Sequence, residues 1–208
     1  MGNKRKDATM LRNIDPMHII VPIATPGRTA NEAYLKLDVD LTNVFRYIEK
    51  KNETETEFPY TVFHVIVAAI LKTITLRPKM NRFIKNDWIY QRNFVSASFV
   101  VKKQFTDESE EGLAIVRTVG DDNIESIHEK IKQQVIVTKD VNTVDATSGA
   151  MDAINKLPAG LVKFVVRTLR WLEEIGRIPQ SLIETDPYQE SVILSNVGSI
   201  RLEGGYHH

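Results

Sequence analysis

The chain has no cysteine. A disulfide framework, a thiolate nucleophile and a thiolate-bound metal are all excluded by that, and a reducing, cytoplasmic setting is the expectation. Neither sign of charge is in excess: 27 Lys and Arg meet 27 Asp and Glu, for a formal net charge of +0. No overall positive field draws the protein to nucleic acid or to an anionic membrane surface, so neither partner is expected. Long apolar runs are scarce too. The longest, residues 62–71, contains His64, is bounded by Thr61 and Lys72, and falls short of the roughly 20 residues that a membrane-crossing helix needs. The start, Met1-Gly2-Asn3-Lys4-Arg5-Lys6, has the charge of a signal-peptide head, yet Asp7, Arg12 and Asp15 stand where an apolar core would follow.

Several catalytic signatures are missing as well. No glycine-rich phosphate loop follows a strand pattern, which removes dinucleotide and Walker-type nucleotide binding. No Gly-x-Ser-x-Gly elbow is present for a serine hydrolase. No His-x-x-x-His or comparable zinc spacing occurs, so no bound metal is expected. Glu108, Glu110 and Glu111 are clustered in a polar stretch and are read as a solvated surface.

What is present suits one globular domain: 208 residues, 42% hydrophobic and 26% charged. Residues 1–30 carry Pro16, Pro22 and Pro26, which predict an extended N-terminal arm over a domain spanning residues 31–208. Within that domain residues 33–40 alternate, with Leu35, Leu37 and Val39 on one face, the pattern of a half-buried strand. Asp40 then caps a helix with Leu41, Val44, Phe45 and Ile48 on its apolar stripe. The run from Val62 predicts a buried helix ended by Pro78. A hairpin is expected from residues 88–91 and 95–101 with its turn at Arg92-Asn93, followed by a strand at residues 113–117. Asp122-Asn123 opens a helix whose stripe is Ile124, Ile127, Ile131 and Val135. Residues 138–150 predict a loop or irregular helix. Pro158 and Gly176 bracket a further helix, and residues 191–197 form a last strand broken at Gly198. Strands and helices interleave without regular βαβ alternation, which predicts an α/β fold with a mixed sheet packed by helices and argues against a doubly wound one.

The five histidines come first for acid–base chemistry. His64, inside the apolar helix, is expected to be a neutral, hydrogen-bonded core residue. His128, beside Glu125, Glu129 and Lys132, is expected to be solvated. His18 is left open, and the terminal His207-His208 pair is poor material for a base. At Ser195-Asn196-Val197-Gly198-Ser199 polar side chains and a glycine interrupt an apolar strand. On the residues alone a strand end with a turn is the favoured reading; the alternative is a serine hydroxyl that donates to an oxyanion.

Ser195-Asn196-Val197-Gly198 resembles the Ser-Asn-Leu-Gly stretch of the dihydrolipoamide acyltransferase catalytic domain of 2-oxo acid dehydrogenase complexes, within the chloramphenicol-acetyltransferase-like superfamily. Three other segments resemble that family in the same order. They are Leu37-Asp38-Val39-Asp40-Leu41-Thr42, the apolar helix ending in Pro78-Lys79-Met80-Asn81, and Gly112-Leu113-Ala114-Ile115-Val116, with Val116 in place of a usual proline. The resemblance runs from about residue 31 to residue 198. It implies a chloramphenicol-acetyltransferase-like two-layer sandwich, a homotrimer with active sites between subunits, and coenzyme A as co-substrate opposite an acyl donor or acceptor. It also implies that Ser195 hydrogen-bonds the oxyanion, with Asn196 beside it, while a histidine of a His-x-x-x-Asp-Gly motif acts as base. No such motif occurs in the sequence. The base, the closing strands and the last helix are therefore expected beyond His208, and the 208 residues alone are expected to be inactive. The few residues before Asn31 leave no room for lipoyl and subunit-binding domains, which counts against membership of a dehydrogenase complex. Two alternatives accompany this reading: a non-catalytic trimeric interaction module of the same fold, and an antibiotic O-acetyltransferase.

Overall fold

Local sequence chemistry accounts for most of the elements in the computed structural model, which describes residues 5–25, 32–102, 111–139, 157–174 and 189–196. In chain order they are β1 (Ala8–Met10), α1 (Pro16–Ala24), α2 (Thr42–Asn52), α3 (Val62–Leu76), a short 3-10 turn (Pro78–Asn81), β2 (Arg82–Lys85), β3 (Trp88–Arg92), β4 (Val95–Lys102), β5 (Glu111–Thr118), α4 (Ile124–Lys139), α5 (Ala159–Glu174) and β6 (Val192–Leu194). The helix starts carry the expected donors and acceptors. Asp40 Oδ1 accepts the Thr42 N–H at 2.8 Å ahead of α2. Before α4, Asn123 and Ser126 exchange reciprocal bonds of 2.9 and 3.0 Å, a capping box built from amide and hydroxyl.

The strands form two three-stranded sheets, ordered β1-β3-β2 and β5-β4-β6. The first is antiparallel throughout. The second is mixed, because β4 runs antiparallel to β5 and parallel to β6. That bears out the mixed α/β reading. Helices α3 and α4 lie on the mixed sheet and bury Val67, Leu71, Ile127 and Ile131 against Ala97, Phe99, Ala114 and Val116. Val67, Ala97 and Ala114 are wholly inaccessible. At roughly 25 cal/mol per Å² of apolar surface removed from water, this cluster is the main source of stability. Gly112 permits the contact, since a Cβ at that position would collide with the Thr138 methyl of α4.

Four expectations are corrected. The proline-rich arm is not simply extended: β1 joins a sheet and α1 is a helix of nine residues that accommodates Pro22. Pro16 sits at its first turn and Asp15 accepts the Met17 N–H at 2.8 Å, so the N-terminal proline favours the helix it was expected to prevent. Residues 33–40 are in no strand, and Leu35, Leu37 and Val39 are 83%, 81% and 70% exposed. Alternation reports which side chains share a face, but a strand also needs a hydrogen-bonding edge, and none of the described strands pairs with this segment. β3 and β4 are not a hairpin, because they belong to different sheets. The Arg92-Asn93 corner carries the chain from one sheet to the other: Asn93 donates to Lys6 O at 2.9 Å and its N–H donates to Asp7 O at 2.9 Å. The hairpin is β2–β3, turned by Asn86 and Asp87 with φ of 48° and 61°, the left-handed pair that a two-residue turn requires. The fourth correction concerns His128 and follows below. Residues 140–150 and 197–198, with Gly176, lie outside the described residues, as do the terminal histidines. No described helix is long and apolar enough to cross a membrane.

Candidate active site at the end of strand β6

Strand β6 is held in register by its neighbours before it reaches Ser195. Ala97 pairs with Val192, Ser98 with Ile193 and Phe99 with Leu194. Ahead of the strand, the Ser96 N–H donates to Ser191 Oγ at 3.1 Å and the Ser191 N–H donates to Ser96 Oγ at 3.2 Å. Ser96 is fully buried in β4 and Ser191 half-buried just ahead of β6, and the reciprocal bonds give each hydroxyl a backbone partner. Ser195 and Asn196 follow immediately and are exposed. Among the described residues the Ser195 hydroxyl makes no hydrogen bond. The geometry is that of a fixed strand delivering an uncommitted donor to the surface, where a substrate oxygen can reach it.

Just ahead of β6 the chain crosses a seam of charge between the two sheets. Arg92 Nε donates to Gln189 O at 2.8 Å. Arg5 donates to Gln189 Oε1 at 3.3 Å and pairs with Asp7 at 2.7 Å. Arg117 Nη2 reaches Glu190 Oε1 at 3.4 Å, and among the described residues the other Glu190 oxygen has no partner although the residue is only 3% exposed. The rings finish the seam: the Arg92 guanidinium lies 4.5 Å and that of Arg5 5.2 Å from the Phe83 centroid, with Arg117 4.4 Å from Phe94. Burial pulls the Arg92 guanidinium below its ordinary range, while Glu190 and Asp7 oppose that shift. The sequence reading missed this seam. Its only signal is that Arg92, Arg117 and Glu190 flank apolar strand segments, which does not reveal that they meet.

The histidines occupy a different place. His64 is buried, as expected, and so is His128, which is 4% exposed instead of solvated. Glu125 and Lys132, one turn to either side of His128 on α4, pair with Lys51 and Glu57, and the loop after α2 covers the imidazole between them. His128 Nε2 donates to Phe58 O at 2.8 Å, and the Tyr60 ring stacks on the imidazole at 3.8 Å. His64 Nδ1 accepts the Thr61 N–H at 2.9 Å, and its Nε2 is buried without a partner. The two imidazole centroids are 4.9 Å apart. Burial, followed by the neighbouring His128, lowers the His64 pKa to about 4. Neither ring is placed to take a proton from a substrate at the surface. His18 is exposed on α1. Among the described residues no three His, Asp or Glu converge on a metal position. A groove on α5 is lined by Val162, Lys163, Val166 and Arg167 and offers no acid–base or nucleophilic group apart from its cations.

No family model matches the sequence, and no curated protein matches it. Among solved structures, a probable dihydrolipoamide acetyltransferase from Listeria monocytogenes 4b F2365 is similar, with a TM-score of 0.51 and 13% identity over 96% of this chain and 69% of that one. Likeness at that identity speaks for architecture, and activity has to be argued from the site. The mixed sheet, its helical cover and this structural likeness together give the chain the fold of a dihydrolipoamide acetyltransferase, which is the fold that the Ser195-Asn196-Val197-Gly198 resemblance implies.

Proposed function

We propose that the protein is a coenzyme-A-dependent acyltransferase, moving an acyl group between coenzyme A and a thiol or hydroxyl, with Ser195 as the oxyanion donor. The observation that carries this reading is the exposed, uncommitted Ser195 hydroxyl one residue past a strand locked at Val192, Ile193 and Leu194. In the reaction a base removes the proton of the attacking thiol or hydroxyl, and attack on the thioester carbonyl makes a tetrahedral oxyanion. The Ser195 O–H then donates to that oxygen as its charge grows, and collapse expels the coenzyme A thiolate, which takes up the proton. Asn196 borders the same position. His64 and His128 are both enclosed, so neither is taken as the base in this reading. The exposed apolar residues Tyr34, Leu35, Leu37 and Val39 support a homotrimer in which this surface is covered. The absence of cysteine supports a cytoplasmic setting.

Calorimetric titration with coenzyme A and acetyl-coenzyme A tests the reading, and saturable binding of at least one is expected. Heat of dilution alone with both would remove it. Where transfer is measurable, Ser195→Ala lowers kcat by about 10²- to 10³-fold while KM stays within a few-fold. A second reading, a non-catalytic trimeric module, is favoured by the lack of a His-x-x-x-Asp-Gly motif in the sequence together with the enclosure of His64 and His128. Any acyl transfer by the chain eliminates it. Acetylation of chloramphenicol or another drug in a panel identifies the acceptor as an antibiotic.

A further inference from the structure

We infer that His64 is the titrating part of an acid-operated latch: protonation of this buried ring, packed against His128, frees the loop of residues 53–61 from α3 and α4 and uncovers Phe58 and Tyr60. The inference rests on the imidazole cage and is independent of the role given to Ser195. Each ring fastens the loop at one point. His64 Nδ1 accepts the Thr61 N–H at 2.9 Å and meets the Thr61 hydroxyl at 2.8 Å, so that nitrogen carries no proton and the neutral ring holds its proton on Nε2. His128 Nε2 faces the Phe58 carbonyl at 2.8 Å, which only accepts, so this nitrogen carries the proton of the second ring. The orphaned His64 Nε2–H is already an unsatisfied buried donor.

A proton added to His64 has no favourable place. It must go to Nδ1, which turns the acceptor of the Thr61 N–H into a donor and breaks the bond closing the start of α3. Released into water, the His64 ring takes that proton at no such cost. The walls are Phe58 at 5.5 and 5.4 Å, Phe63 at 6.5 Å from His64, and the stacked Tyr60.

Among the described residues none of the charged neighbours is bonded to His64, although Glu55 also interacts with the His128 ring. From the loop, Glu57 pairs with Lys132 at 2.7 Å, and Glu55 accepts the Phe58 N–H at 3.1 Å and the Glu57 N–H at 3.2 Å. From α2, Lys51 pairs with Glu125 of α4 and faces the Tyr47 and Tyr60 rings. Glu129 of α4 is bonded by Gln133 at 3.1 Å. Glu55 is held below the usual carboxylate range, first by the Phe58 N–H, and Glu125 likewise, first by Lys51. Both carboxylates therefore stay ionised between pH 7.5 and 5, where the changes sought belong to the His64 ring and not to these tethers.

The Thr61 amide reads the latch directly, because its only acceptor among the described residues is the His64 ring. Amide hydrogen exchange of the full chain is measured by NMR from pH 7.5 to 5 and corrected for the intrinsic pH dependence of exchange. Thr61 protection is expected to fall about tenfold for each pH unit below 6.5, with Tyr60 following, while Val116 at the sheet centre stays unchanged. His64→Gln keeps an acceptor and removes the titration, so its Thr61 protection is expected to be flat with pH. Thr61 protection that is independent of pH in the wild type, or that falls equally in His64→Gln, overturns the latch. Should that variant not fold, the imidazole Cε1–H shifts of the wild type decide: a His64 ring that titrates near 6.5 with Thr61 still protected overturns it too.

Discussion

Two clusters of buried ionisable groups among the described residues are built on opposite principles. Between the sheets, Arg5, Asp7, Arg92, Arg117 and Glu190 form a seam of full charges, stacked on Phe83 and Phe94. Under the loop of residues 53–61, His64 and His128 form a cage of neutral rings with one orphaned donor. Arginine keeps its charge at any ordinary pH, so the seam holds as long as its geometry does. In the latch inferred above, the cage holds while the His64 ring stays neutral. Permanent charge therefore secures the approach to Ser195, and titratable groups secure a loop that has no part in holding that strand.

The strongest way to break this contrast is at the seam. Arg5→Ala leaves Asp7, 6% exposed, without its ion-pair partner and removes the bond to Gln189 Oε1. A cost of about 4 kcal/mol is expected, the scale for a broken buried ion pair, seen as a lower denaturant midpoint whose size barely changes between pH 8 and 6. At the cage the expected loss is smaller and depends on pH. The folded His64 pKa of about 4 lies below its ordinary 6.5, so the unfolded chain binds more protons between those values. The stabilisation is complete above 6.5 and is lost as pH falls toward 4. The total is roughly 3 kcal/mol, from about 1.4 kcal/mol per pH unit, and denaturant titrations at stepped pH check it. Removing the stacked ring by Tyr60→Leu sharpens the comparison at the cost of about 1 kcal/mol at pH 7.5. Least of all, Lys132→Met breaks an exposed pair with Glu57 and leaves the melting temperature unchanged within error, which separates cage from surface charge.

Much of the packing was readable from residue order, because α3 and α4 declare their buried faces through Val67, Leu71, Ile127 and Ile131 at helical spacing. The mixed sheet was readable as well, from β-branched runs without regular alternation. What periodicity does not carry is the partner. Residues 33–40 alternate like a strand yet pair with none of the described strands, and the Arg92-Asn93 corner reads as a hairpin while it changes sheets. His128 looks solvated because its sequence neighbours are charged, whereas the groups that cover it, Phe58 and Tyr60, lie about seventy residues earlier, 70 for Phe58. The same limit hid the seam, whose Arg5 and Gln189 are 184 positions apart. Ser195 is legible as a polar break in an apolar run, whereas the Ser96 and Ser191 bonds that hold the start of β6 are announced by no local pattern.

Those serine bonds join positions 95 apart, and they set the order in which the chain can assemble. Strand β4 can pair with β5 as soon as that hairpin-like unit has been made, but its other edge must wait for β6. Contacts at such separation form late, after the loop entropy between them has been lost. During synthesis at about 5–20 residues per second, the β4 edge thus stays open for several seconds, with Ala97 and Phe99 beside it. An open edge of that kind invites pairing with other nascent chains. The yield of native protein is therefore governed by how quickly the newest strand finds one of the oldest.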